Sequence, residues 1–166
     1  MLSKVFKILV VFFCALLFLS QLSFAAIPKN LLKGEGVIRG GQAGAGFSIL
    51  DVRRSQNQKA ERWVVDFGDA VKQPLASQPP YFNAELRKDR KVILDFSQVW
   101  NSKLDEKALQ KMMKQSPFVK SIKVNFEPQS QTMSWVLEMK QEVQLRVTPV
   151  KGSSRSPAKL VVDFIR

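Results

Sequence analysis

Arg62-Trp63-Val64-Val65-Asp66-Phe67 is the stretch on which the fold turns. In an extended chain Trp63, Val65 and Phe67 fall on one face and Arg62, Val64 and Asp66 on the other, the alternation of a half-buried strand. The same period returns in Lys91-Val92-Ile93-Leu94-Asp95-Phe96, in Ser134-Trp135-Val136-Leu137-Glu138-Met139 and in Lys159-Leu160-Val161-Val162-Asp163-Phe164. Each inward set ends on an aromatic residue or Met, with an acid just before it on the opposite face.

Working outward, the pattern is duplicated. A shift of 72 residues lays Trp63-Val64-Val65-Asp66 on Trp135-Val136-Leu137-Glu138 and Ile49-Leu50-Asp51-Val52 on Ser121-Ile122-Lys123-Val124, while the closing strands, Asp95 and Asp163, stand 68 apart. Surface connections absorb such a difference in length. Each half therefore reads as two hairpins. The first half has strands over 47–53, 62–67, 80–86 and 91–96; the second has strands over 118–125, 132–140, 142–150 and 158–165. Between them Ser102-Lys103-Leu104-Asp105 is a capping box ahead of Leu104, Ala108, Leu109, Met112 and Met113 at helical spacing, which predicts a helix over about 103–114 bounded by Pro117. Two β halves joined by one short helix, with inward faces this apolar, predict an all-β, two-sheet sandwich of about eight strands arising from an internal duplication. Trp63 and Trp135 then anchor matching places in its core.

Residues 1–25 have the layout of a secretory leader: Lys4 and Lys7, an apolar run from Ile8 to Leu19, then small residues at Ser23 and Ala25. The run is shorter than the roughly 20 residues that span a bilayer, so cleavage with no transmembrane segment afterwards is expected. Residues 26–46, holding six of the eight glycines, read as a flexible lead-in with at most a short strand at Val37-Ile38. Residues 47–166 form the domain.

Composition narrows the chemistry. The leader holds two lysines and no acid, so the 141 residues after it carry 24 basic against 14 acidic side chains, a formal +10. They contain neither Cys nor His, since Cys14 lies in the leader. That excludes Ser-His-Asp and Cys-His hydrolases, disulfides and the usual zinc ligand sets, so neither cofactor nor metal is expected. Carboxylate-only chemistry survives, but Asp66, Asp95, Glu138 and Asp163 are products of one repeated strand, whereas a catalytic pair needs two dissimilar environments. Cross-strand pairing with Lys or Arg is their expected role, and no catalytic residue is expected.

The cations gather at hairpin turns. Arg53, Arg54, Lys59 and Arg62 surround the first, Arg87, Lys88, Arg90 and Lys91 the second, Lys120 and Lys123 precede the third, and Lys151, Arg155 and Lys159 flank the last. Such a surface concentrates anions over about a Debye length, ~8 Å at physiological salt. With an export leader and no RNP-like or helix-turn-helix motif, nucleic acid is not the expected partner. An anionic envelope polymer is, with Arg53, Arg54, Arg62, Lys120 and Lys123 as candidate ligand-binding residues.

At the Trp-Val-Val-Asp-Phe and Val-Ile-Leu-Asp-Phe strings the chain resembles the AMIN domain, a small β-sandwich module of periplasmic cell-wall amidases and type IV pilus secretins. The likeness runs from about Phe47 to Arg166. It is carried by the strands around Asp66, Asp95 and Asp163 and by Ser116-Pro117-Phe118-Val119-Lys120-Ser121-Ile122-Lys123-Val124. Ser134 stands where that family usually has a basic residue, and Asp89 where a Pro often precedes the Arg. The resemblance implies a non-catalytic periplasmic module that binds peptidoglycan. Read with an end at Arg166, it implies a stand-alone exported protein with no amidase or secretin domain attached. A protein-interaction adaptor for a pilus, secretion or division complex of the envelope is the alternative.

Overall fold

The computed structural model describes residues 30–44, 46–102 and 106–166. The expected leader and the first residues of the expected helix lie outside them. In chain order the elements are β1 (Leu31–Leu32), β2 (Gly36–Gly40), β3 (Phe47–Gln56), β4 (Ala60–Asp69), β5 (Phe82–Leu86), β6 (Lys91–Ser97), β7 (Val99–Ser102), α1 (Glu106–Lys114), β8 (Val119–Glu127), β9 (Thr132–Met139), β10 (Gln144–Val150) and β11 (Ala158–Ile165). All eight alternating strands form where the period places them.

The strands make two sheets, one in the order β1-β10-β11-β4-β3-β7 and one in the order β2-β5-β6-β9-β8. Their apolar faces meet. Phe67 of the first sheet packs edge-on against Phe96 of the second at 5.6 Å. Trp63 meets Phe164 at 5.4 Å, and Trp135 meets Phe96 at 5.2 Å. Trp63, Val65, Phe67, Leu94, Phe96, Trp135, Leu137, Leu160, Val162 and Phe164 are all buried. Full burial of such side chains stabilises by about 1.5–3 kcal/mol each before the entropy of ordering them is counted.

Neither half of the sequence forms a sheet of its own. The six-stranded sheet takes the hairpin β3-β4 from the first half and β10-β11 from the second; the five-stranded sheet takes β5-β6 and β8-β9. Exchanging each strand for its counterpart turns the order β10-β11-β4-β3 into β5-β6-β9-β8. The central registers interchange as well. Val162 opposite Trp63 and Asp163 opposite Arg62 become Leu94 opposite Trp135 and Asp95 opposite Ser134. The first strand departs from the expected offset. With Trp63 on Trp135, pairing sets Val52 on Ile122, a shift of 70, and the same bulge then falls between Ile49 and Asp51 and between Val119 and Ser121. A slip of two residues keeps every side chain on its face, so alternation alone could not reveal it.

Two strands, β1 and β7, escape the sequence reading, and a third, β2, exceeds it; β1 and β2 lie in the supposed flexible lead-in. β2, longer than the expected Val37-Ile38, pairs along its length with β5, and β1 pairs with β10, so the two lie on corresponding edges of the two sheets. Most of the glycines there, Gly34 apart, fit a close approach rather than slack. At Gly41, φ is 88°, and an added Cβ would lie 2.1 Å from the Pro80 carbonyl oxygen. β7 arises because Gln98, at a φ of 58°, breaks the chain after β6 and sends it across to pair in parallel with β3.

Candidate functional site

The structure does not gather the five residues singled out from the sequence. Arg53 and Arg62 are neighbours on the outer face of the six-stranded sheet, and each is closed on a carboxylate. Arg53 donates from Nη2 to both oxygens of Asp66 at 2.9 Å. Arg62 donates from Nε and Nη2 to the two oxygens of Asp163 at 2.7 and 3.0 Å. The hydrogen bond to Asp163, reinforced by its charge, raises the Arg62 guanidinium above its ordinary value against a smaller opposing desolvation. Lys120 and Lys123 belong to the other sheet. Lys120 reaches Glu138 at 2.7 Å and, through that hydrogen bond foremost, holds its carboxyl below the usual glutamate range. Lys123 is exposed and makes no ion pair among the described residues.

Arg54 turns inward instead. It donates to the Gln115 carbonyl at 2.9 Å and lies 3.5 Å from Glu61, a carboxylate with no exposed surface. Glu61 accepts from Trp63 Nε1 at 2.7 Å and from Ser116 Oγ at 2.6 Å. Ser116 Oγ in turn accepts from the backbone N–H groups of Phe118 and Val119, at 3.1 and 2.7 Å. The network ties the end of α1 and the start of β8 to β4. The duplication exposes its asymmetry: Met133 stands where Glu61 has its counterpart, and the buried Trp135 Nε1 has no hydrogen-bond partner among the described residues.

The repeated acids are engaged across strands. Asp66 holds Arg53 and, at 3.5 Å, Lys159; Asp163 holds Arg62; Glu138 holds Lys120. At the fourth position the exception resolves the oddity of Ser134, whose Oγ donates to Asp95 at 2.6 Å where the other copy has Arg62 on Asp163. A hydroxyl has replaced a guanidinium in an unchanged register.

The open cationic surface lies at one end of the sandwich, where the β1–β2, β5–β6 and β9–β10 turns meet the end of β11. Together they enclose a cleft of about 520 Å³, within the range typical of small-ligand sites. Lys33, Arg87, Lys88, Arg90 and Arg166 line it against two acids, Glu35 and Glu142. Lys88 lies 3.2 Å from Glu35, and Arg87 lies 3.5 Å from Asp89. Lys33 and Arg90 make no ion pair among the described residues, and the Arg166 guanidinium stacks 5.1 Å from the centre of the Phe118 ring. Buried Leu86, Met139 and Val143 supply an apolar lining. Arg90 is held with φ at 56°, a left-handed conformation that costs a non-glycine residue about 1–3 kcal/mol, while its carbonyl accepts from the Met139 N–H at 2.8 Å. A smaller groove of about 430 Å³ beside it includes Arg62, Arg146 and Asp163 but neither Arg53 nor Arg54.

Of this cleft the sequence marks only the cations of the second turn. Lys33, Gln141 and Arg166 escaped because they join those cations only once β1, the β9–β10 turn and β11 are placed. The expected core role of Trp63 and Trp135 holds; the exposed tryptophan is Trp100, whose indole N–H donates to Gln131 Oε1 at 3.0 Å.

Fold and site together define an all-β, two-sheet sandwich with a cation-lined cleft at one end. No family model and no curated protein matches the chain. No helix among the described residues is long and apolar enough to cross a membrane.

Proposed function

We propose that this protein is a non-catalytic periplasmic module that binds peptidoglycan, with the cationic cleft as its point of engagement. The observation that carries the reading is the cleft itself, in which five cations face two acids over an apolar lining. The leader-like residues 1–25 and the resemblance to the AMIN domain support the compartment and the polymer. The test is cosedimentation of the full chain, without residues 1–25, with purified sacculi across a salt series. Retention at low salt that declines as screening shortens the reach of exposed charges is expected; no retention at low salt overturns the reading.

One feature favours an adaptor instead. β8 is a nine-residue edge strand with no neighbour on its outer side among the described residues, the arrangement that strand addition by a partner requires. Crosslinking in cells separates the two: an adaptor yields one dominant protein adduct, and a wall binder yields insoluble murein adducts.

A further inference from the structure

We infer that the cleft between the β1–β2, β5–β6 and β9–β10 turns is a receptor for the free α-carboxylate end of a short peptide with an aliphatic side chain. This rests on the binding-module reading above and names which part of the polymer is held.

Three observations converge. The first is charge that the fold does not consume: Lys33 and Arg90 have no carboxylate among the described residues, and Arg166 lies over an aromatic ring rather than against an acid. The Asp-paired guanidinium groups of Arg53 and Arg62 lack that freedom. The second is Gln141, which lines the same cleft and whose Nε2 is buried without a hydrogen-bond partner among the described residues. A buried amide donor left unmet is destabilising, and turning this half-buried side chain toward the cleft to donate to a peptide carbonyl or carboxylate oxygen would relieve it. The third is the apolar lining of Leu86, Met139 and Val143. A site for phosphate alone has no use for such a surface, whereas an aliphatic side chain beside a carboxylate does. Cation, amide donor and apolar wall in one concavity match the three parts of a peptide terminus.

The probe is N-acetyl-alanyl-alanine, titrated into the ¹⁵N-labelled chain and followed by the backbone resonances of Arg90, Gln141 and Val143. Saturable shifts at these residues are expected, with binding at least tenfold weaker for the same dipeptide capped as its amide. A Lys33→Gln/Arg90→Gln double variant should weaken binding about tenfold, and so should Gln141→Leu, which leaves every charge in place. Equal affinity for the capped dipeptide, equal affinity for inorganic phosphate, or shifts confined to other residues would each overturn the inference. Sacculus retention measured on the same samples separates the two readings. Dipeptide binding absent with retention intact removes this inference alone, and loss of both removes the binding-module reading as well.

Discussion

Trp63 and Trp135 form a controlled experiment within one molecule. They are counterparts under the duplication, 0% and 1% exposed, and each meets a phenylalanine edge-on at a similar distance, Phe164 and Phe96, themselves counterparts. They differ in what the indole N–H meets: Trp63 Nε1 donates to the buried Glu61 at 2.7 Å, and Trp135 Nε1 has no hydrogen-bond partner among the described residues. Replacing either with Phe removes the same ring atoms, so the packing losses should nearly cancel between the two variants. Trp63→Phe also removes a hydrogen bond to a charged group, worth about 1.5–3 kcal/mol, and leaves Glu61 to Ser116 and Arg54. Trp135→Phe removes an unsatisfied donor and should recover part of its packing loss. Trp63→Phe is therefore expected to be the more destabilising by about 1.5–3 kcal/mol. In urea denaturation, with a slope of about 1–3 kcal/mol/M for a small protein, that separates the midpoints by roughly 1 M. Equal losses, within about 0.5 kcal/mol, would refute the claim that the Glu61 network distinguishes the two copies.

Two further outcomes follow. Because Lys120 depresses the Glu138 carboxyl in the folded state, that pair contributes stability above the ordinary glutamate pKa of about 4.3, and the contribution is lost as pH falls through the lowered folded value. The gap in thermal midpoint between wild type and Lys120→Met should therefore be present at neutral pH and close in acid; a gap that persists at pH ~2 would show that Lys120 acts by packing. Gly41→Ala forces a side chain into a left-handed backbone against the Pro80 carbonyl. A loss of at least about 2 kcal/mol is expected, with faster hydrogen exchange at the Tyr81 amide, which donates to the Gln42 carbonyl at 2.8 Å; unchanged exchange there would contradict a tightly held β2.

How far the sequence reached depended on whether a signal was local. The eight alternating strands were legible because one face of each is buried, and burial writes a period of two into the residues themselves. β1 and β7 are too short to display a period, and β2 is bracketed by glycines at Gly36 and Gly40 that read as loop. The offset of the first strand was misread by two because alternation is blind to an even slip. Arg62 looked available because its partner, Asp163, is 101 residues away, and nothing in the neighbourhood of Arg62 announces that the fork is filled. The cleft was hidden for the same reason, its lining being drawn from turns that stretch from Lys33 to Arg166.

The exchange of hairpins between the sheets has a bearing on ancestry. A polypeptide carrying one unit alone would leave β4 or β9 with a bare flank in the middle of a sheet, and a second copy of the same polypeptide would supply the missing hairpin. The simplest forerunner of this protein is thus an intertwined homodimer of half-length chains. Joining the two units in one polypeptide frees the copies to differ, and here one carries Arg62 and Glu61 where the other carries Ser134 and Met133.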